Sequence, residues 1–164
     1  MRQYRKSVTP TGDDDRRPLV IGYDGSEFAK HAIEQAGRLF PGRRTVVANV
    51  FPSAAGTVAA GAIGVSLDVL GTAADRLHEE SRRAAQARAD EGARLASEAG
   101  LAAEGRSEMT EGSNWSALNR VADAEDALAV VVGPRGLSGL KEMLLGSTSS
   151  GLLHHSTRPV VVVP

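Results

Sequence analysis

A glycine- and hydroxyl-rich segment after an apolar run contains residue types that can hold a phosphate group. Gly133 and Gly136 are expected to adopt positive φ values and to let the backbone come close to a ligand. Gly146 precedes a run of hydroxyl residues at a predicted helix start, where free N–H groups and the helix dipole favour an anion. The candidate phosphate-binding residues are Gly133, Gly136, Gly146, Ser147, Thr148 and Ser149.

Each half of this pattern also has a purely structural interpretation. Glycines after a strand are common, and a Ser/Thr cluster is what any helix N-terminus prefers. Neither standard phosphate fingerprint is present, since Lys141 follows Leu140 instead of a glycine and no Gly-x-Gly-x-x-Gly opens a helix. A P-loop nucleotide hydrolase and a NAD enzyme are therefore disfavoured.

Two residues inside the glycine segment have opposite expected effects on the binding of an anion. Arg135 could make a bidentate, charge-assisted contact with a phosphate oxygen, or it could be an exposed loop arginine. Pro134 has no N–H group, so one possible phosphate donor is missing from this turn. The glycines remain the main sequence evidence for an anion site.

Few residues could activate a water molecule or act as a nucleophile. The chain has no Cys and no Gly-x-Ser-x-Gly elbow. His31 lies in a predicted amphipathic helix and His78 in a long solvated helix. His154 and His155 are consecutive, so they cannot share a helix face as metal ligands, and a C-terminal helix dipole is their expected partner. We predict no catalytic residue and no metal held by protein side chains.

Strand and helix patterns alternate along the chain. Continuous apolar runs over 18–23, 45–51, 128–133 and 159–164 predict buried strands, and 101–109 predicts a weak, polar edge strand. Helical spacing follows Ser26, which is expected to be the N-cap, and appears again after Ser113 and within 73–99. This alternation predicts a doubly wound, open, five-stranded parallel sheet with helices on both faces.

In a sheet of this kind, ligands bind beyond the carboxyl ends of the strands, where the strand order reverses. That rule directs attention to residues 23–26, residues 49–51 and the segment that follows Val132. The glycine segment is the last of these three. The sequence therefore predicts one site at the carboxyl edge of the sheet.

Other stretches carry structural predictions. Residues 1–17, with three consecutive aspartates, are predicted to be a flexible tail before a domain over 18–164. Residues 53–72 are predicted to be a mobile connection that could carry a short helical turn. The long helix over 73–99 is expected to rest its Ala residues, Leu77 and Leu95 on the sheet. Trp115 is expected to pack in the core and not to serve as a ligand platform.

Length and charge limit the possible partners. The chain has 164 residues, 19 basic and 20 acidic side chains, and 4% aromatic residues. Near-neutral charge disfavours non-specific nucleic-acid binding, and few aromatics disfavour base stacking. No apolar run reaches the ~20 residues of a membrane helix, and the first residues lack a signal-type hydrophobic segment. We expect a cytoplasmic, single-domain protein with neither nucleic acid nor membrane as a partner.

The spacing Gly133-x2-Gly136-x9-Gly146-Ser147 resembles that of the universal stress protein family, as do the Ile-Gly-Tyr-Asp24-Gly-Ser start and the closing Arg-Pro-Val-Val-Val-Val. The resemblance covers about residues 17–164. It implies a Rossmann-like sheet with strand order 3-2-1-4-5. It also implies that Asp24 contacts the adenosine part of ATP, that the main chain of Val50 meets the adenine, and that the glycine segment binds phosphates.

The resemblance further implies a homodimeric stress regulator that binds ATP with at most slow hydrolysis. Mg²⁺ or Mn²⁺ would be held mainly by the phosphates and water. Dimerisation is implied through the strand Val160 to Val163, which is short, uncharged and expected at an open sheet edge. Two alternatives stay open at this point: a dimerising adaptor with no bound nucleotide, and a slow adenine-nucleotide hydrolase of the same fold.

Overall fold

The computed structural model describes residues 16–53, 67–136 and 145–164, which contain one parallel sheet and the helices that cover it. The strands lie in the predicted order, β3-β2-β1-β4-β5, and all neighbouring pairs are parallel. In chain order the elements are β1 (Leu19–Gly22), α1 (Glu27–Leu39), β2 (Arg44–Pro52), α2 (Leu67–Glu98), β3 (Ala102–Thr110), α3 (Asn114–Ala124), β4 (Ala129–Val132), α4 (Ser147–His155) and β5 (Val160–Val162).

Helices cover both faces of the sheet, and successive side chains of each strand enter opposite cores. Leu19 and Ile21 pack with α1 and α2, whereas Val20 packs with α3 and α4. Each fully buried aliphatic side chain contributes about 1.5–3 kcal/mol relative to its exposed state. This burial on two faces explains why β1, β2 and β4 have continuous apolar sequences.

The predicted helix caps are confirmed in part. Gly25, with φ +87°, turns the chain after β1, and Ser26 Oγ then accepts the Ala29 N–H at 3.2 Å. Gly100, with φ +92°, follows the last turn of α2 as predicted. Ser113 occupies the N-cap position of α3, but its hydroxyl makes no capping bond.

Two predictions about the long helix were wrong. Helix α2 begins at Leu67, so the last residues of the predicted connection 53–72 are helical; residues 54–66 lie outside the described part. Leu77 is 38% exposed, whereas Leu95 packs against the core as expected. At 32 residues the helix is about 48 Å long, and the nine residues of β3 span about 30 Å. Its first turns therefore extend past the sheet.

Trp115 packs where α3 meets α4, partly buried against the second core. Its ring stacks on that of His155, with centroids 4.5 Å apart and planes at 22°. A Cβ on Gly151 would overlap the indole, so this glycine lets the two helices approach. Trp115 is therefore a packing residue, as predicted.

Side chains bond three of the outward backbone groups of the edge strand β3. Ala102 N–H bonds back toward β2, so by alternation the odd-numbered residues of β3 direct their backbone groups outward. Gln86 of α2 donates to Gly105 O at 3.1 Å and accepts from Ser107 N–H at 3.0 Å. Arg120 donates to Met109 O at 2.7 Å.

The opposite edge strand, β5, is apolar. Val163 N–H bonds Val132 O, and Pro159 O accepts from Val130 N–H. By the same alternation, Val160 and Val162 direct their N–H and C=O groups away from β4.

No helix within the described ranges has the length and apolarity that crossing a membrane requires.

The N-terminal prediction falls mostly outside the described residues. Residues 1–15, including the three consecutive aspartates, are not described. Arg16 and Arg17 are exposed and have no regular secondary structure, and the chain becomes buried at Pro18. The tail boundary at residue 17 stays a prediction.

Candidate functional site

A cavity lies at the carboxyl ends of β1, β2 and β4, where the strand order reverses between β1 and β4. It encloses about 590 Å³, including the space that opens to solvent. The structure brings all nine predicted binding residues to this one cavity. They are Asp24, Val50, Gly133, Arg135, Gly136, Gly146, Ser147, Thr148 and Ser149.

The turn after β1 supplies one wall and is rigidly bonded. Asp24 Oδ1 accepts the Ser26 N–H at 3.0 Å, which fixes the carboxylate at the start of α1. The Tyr23 ring is buried in the core, and its hydroxyl donates to Glu91 at 3.1 Å. Burial, together with this hydrogen bond, raises the pKa of Tyr23 to about 12. Tyr23 therefore stays neutral and acts as a structural support.

The end of β2 supplies the neighbouring wall. Ala48, Asn49 and Val50 all line the cavity. Asn49 is 7% exposed, and its Nδ2 donates to Tyr23 O at 2.7 Å. The ends of β1 and β2 are thus joined by a side-chain bond beyond the last paired residues of the ladder, Gly22 and Ala48.

The glycines that follow β4 are needed for a reason different from the predicted one. Neither Gly133 nor Gly136 has a positive φ, and among the described glycines only Gly25, Gly42 and Gly100 do. A Cβ on Gly133 would lie 2.9 Å from Phe28 Cβ, and one on Gly136 would overlap the Asp24 carboxylate. The prediction of positive φ was wrong, because close packing against α1 and Asp24, not backbone strain, excludes a side chain.

Pro134 closes the loop through its carbonyl group. Gly146 N–H and Ser149 Oγ both donate to Pro134 O, each at 2.8 Å. These bonds bring the start of α4 back to the end of β4. The Ser149 side chain, 2% exposed, therefore braces the loop, and its possible contribution to a ligand is its backbone N–H. Residues 137–144 between these anchors lie outside the described part.

Helix α4 directs its N-terminus at the cavity. Its first intrahelical bond runs from Ser150 N–H to Gly146 O at 2.9 Å. The N–H groups of Ser147, Thr148 and Ser149 precede that bond, so the helix itself provides no acceptor for them. Such groups, with the helix dipole, form an anion-binding environment.

Several cavity residues were not predicted as site residues. They come from the strands β1, β2 and β4, from the turn after β1 and from the helices α1 and α3. They are Gly22, Tyr23, Ala29, Ala48, Asn49, Asn114, Leu118 and Val132. Residues 23 and 49 fell within segments that the strand-end rule had selected. Asn114 opens α3 directly after β3, a position that the same rule could have identified.

The cavity has little acid–base chemistry in its described lining. Asp24 and Arg135 are the charged residues among its described lining residues. The described residues contain no group of three His, Cys, Asp or Glu that could hold a metal ion. His154 and His155 lie in the last turn of α4, at the opposite end from the cavity. The start of α4 and the Arg135 guanidinium are suited to an anionic ligand.

The chain is similar in sequence to proteins of one known family. The model of the universal stress protein family matches residues 15–164. The chain is 28% identical over 157 residues to universal stress protein Sll1388 of Synechocystis sp., covering 88% of this chain and 96% of that protein. It is 48% identical over 56 residues to a universal stress protein of Mycolicibacterium smegmatis, covering 34% of this chain but only 19% of that relative.

Solved structures show the same fold. A universal stress protein from Archaeoglobus fulgidus superposes with a TM-score of 0.63 at 19% identity, covering 90% of this chain and 98% of that one. A universal stress protein in complex with cAMP superposes with a TM-score of 0.61 at 25% identity, covering 90% and 97%. The second of these proteins holds an adenine nucleotide.

Proposed function

Since the chain belongs to the universal stress protein family, we propose that its cavity binds an adenine nucleotide, with ATP as the predicted ligand. One observation carries the proposal: all nine residues selected from the sequence line a single cavity at the switch point of the sheet. A cAMP complex of a structural neighbour supports an adenine nucleotide as the class of ligand.

The proposed phosphate end is the start of α4 with the loop that precedes it. The N–H groups of Ser147 and Thr148, the Thr148 hydroxyl and the Arg135 guanidinium are the expected donors. Because the net charge of the chain is −1, phosphate attraction must come from such local groups and not from a general positive field. Gly133 and Gly136 keep this loop close to α1 and Asp24.

The proposed nucleoside end lies between Asp24 and Val50. Asp24 is suited to accept hydrogen bonds from ribose hydroxyls or a base amine, and the main chain of Val50 offers paired donor and acceptor groups. The surrounding lining residues, Ala48, Leu118 and Val132, are aliphatic. Phe51 is buried beside His78 and is not among the lining residues. The adenine would therefore lie between aliphatic side chains.

We expect a divalent cation, Mg²⁺ or Mn²⁺, to be held mainly by phosphate oxygens and water. Among the described lining residues, Asp24 is the single carboxylate, and its Oδ1 already accepts the Ser26 N–H. The same shortage of bases near the phosphate end argues against efficient hydrolysis. ATP would act as a bound ligand or switch with little or no turnover.

We further propose that the protein is a homodimer, paired through Val160 to Val163, and responds to nucleotide as a stress regulator. The outward backbone groups of β5 are suited to pair with a second copy in an isologous interface.

Nucleotide released from the purified native protein, identified by mass spectrometry, tests the proposed ligand class. Calorimetry with ATP, ADP and cAMP then tests the site. Gly136→Val and Gly146→Val should each raise Kd at least about 100-fold, because a side chain at Gly136 meets Asp24 and one at Gly146 meets Arg135.

Gly71→Val is the matched control, since a Cβ at Gly71 meets nothing within 4 Å and the residue lies in α2, away from the cavity. The Kd of Gly71→Val for each nucleotide should equal that of the unmodified protein. Unchanged Kd values in both cavity variants would contradict nucleotide binding at this site. Turnover above about 1 s⁻¹ would favour an enzyme instead.

A further inference from the structure

Asn49 extends the pairing of β1 and β2 by one bond beyond the ladder. The paired residues end at Gly22 and Ala48, and the chain then turns at Asp24. Tyr23 N–H still bonds Ala48 O at 2.9 Å. Its carbonyl group is bonded by the Asn49 side chain, whose Nδ2 donates to it at 2.7 Å. Both backbone groups of Tyr23 are therefore held by β2.

These two bonds fix the spacing of the residues at the proposed nucleoside end. Asp24 follows Tyr23, and Val50 follows Asn49, so each lies one peptide unit from the Asn49–Tyr23 bond. Asn49 is 7% exposed and lines the same cavity as both. A buried hydrogen bond at that distance restricts how far the two strand ends can separate.

The acceptor dictates the side-chain type at position 49. A carbonyl oxygen needs a donor, and the amide Nδ2 supplies one without charge. A carboxylate of the same size would direct a negative oxygen at Tyr23 O. An alanine would leave a buried carbonyl without its bond, and a serine could keep a donor but with shorter reach.

From this geometry we infer that Asn49 is a positioning residue that sets the spacing between Asp24 and Val50, and thereby the selectivity for the base. The inference rests on the proposed function. It concerns the nucleoside end, because the phosphate loop after β4 is held by separate bonds to Pro134 O. A base read by main-chain groups is discriminated only when those groups stay in register with it.

The first measurement needs no ligand. Hydrogen exchange of the free protein should show faster exchange in Asn49→Ala than in the unmodified chain at the amides from Tyr23 to Ser26 and at Val50, with the rest of the sheet unaffected. Unchanged exchange at these amides would overturn the inference, whether or not the protein binds nucleotide.

The second measurement is the ratio of the Kd values for GTP and ATP. Asn49→Ala should lower this ratio about tenfold, the loss expected from one hydrogen bond. Asn49→Asp should lower the ratio at least as much. Asn49→Ser should give a ratio between those of the unmodified protein and Asn49→Ala. A uniform loss of affinity with an unchanged ratio would overturn the inference, since a merely structural role predicts that result.

Asn119→Ala is the matched control. Asn119 lies on α3 and not among the cavity residues, and its buried Oδ1 has no hydrogen-bond partner among the described residues. Removing the Asn119 side chain should change neither the hydrogen exchange of the amides at β1 and β2 nor the ratio of the Kd values for GTP and ATP. If the unmodified protein binds no adenine nucleotide, the proposed function fails, and the exchange result alone still decides whether Asn49 sets the spacing.

Discussion

The two edges of the sheet solve the same physical problem in different ways. Each edge strand has outward N–H and C=O groups that could pair with another chain. On β3 three of these groups are bonded by Gln86 and Arg120, and the strand carries charged side chains in ion pairs, such as Glu104 with Arg44 at 2.7 Å. On β5 the outward groups belong to Val160 and Val162, and the strand has no charge.

The difference indicates which edge is available for pairing. Edge strands protected by charge and by side-chain bonds resist association, whereas an apolar strand favours it. Pro159 and Pro164 flank β5, so the open stretch is short and further strands cannot easily extend it. The sheet thus has one edge protected by charge and side-chain bonds and one short apolar edge, and the proposed dimer would pair through the second.

The largest expected effect comes from removing an outward donor on β5. Val162→Pro deletes an N–H that points away from β4, in each copy of the proposed dimer. Two lost backbone hydrogen bonds, at about 1–1.5 kcal/mol each, should raise the dimer Kd roughly 100-fold. Sedimentation equilibrium measures this change.

Val162→Thr is the control for this experiment, because threonine retains the N–H and the branched shape. It should dimerise like the unmodified chain. A Val162→Pro protein that remains dimeric at the same concentrations would show that the interface lies elsewhere.

The second largest effect should appear when the side-chain bonds that protect β3 are removed. Gln86→Ala removes the bonds to Gly105 O and Ser107 N–H, so the free energy of unfolding should fall by about 1–2 kcal/mol. The exposed backbone should also allow assemblies larger than a dimer at high concentration. Urea denaturation and light scattering measure the two consequences.

Arg94→Ala is the control on the same helix, since Arg94 makes an exposed ion pair with Glu98. Surface pairs of this kind contribute about 0–1 kcal/mol, so the variant should stay near the original stability. Equal stability and assembly of Gln86→Ala and the original protein would show that Gln86 does not protect β3.

The smallest effect is the response to salt. Pairing through uncharged valines should change the dimer Kd less than about threefold between 0.05 and 0.5 M NaCl, because ionic strength screens charges and not apolar contacts. Analytical ultracentrifugation across this range tests the point. A steep salt dependence would assign the interface to a charged surface such as β3.

Much of the fold follows from local pattern. Strands buried on both faces have continuous apolar sequences, and the polar residues of β3 predicted its edge position. The start of α2 could not be predicted in this way. Gly71 lowers helix propensity there, and the Gly- and Ala-rich composition over 53–72 is typical of a connection.

The site was predictable where its residues share a local spacing, as in the segment from Gly133 to Ser149. The physical reason for Gly133 and Gly136 could not be predicted, because Phe28 and Asp24 come close enough to exclude a side chain only after folding. The Asn49–Tyr23 bond joins residues 26 apart, and the Gln86–Ser107 bond joins residues 21 apart. Contacts at such separations leave no periodic signal in a single sequence.

The contact between Trp115 and His155 makes the protein its own optical probe. Trp115 is the single tryptophan of the chain, and it directly follows the cavity residue Asn114. Its stacking partner belongs to α4, whose first turn lines the same cavity. Any ligand that shifts α4 relative to α3 alters the surroundings of one indole, so its emission reports the event without a label.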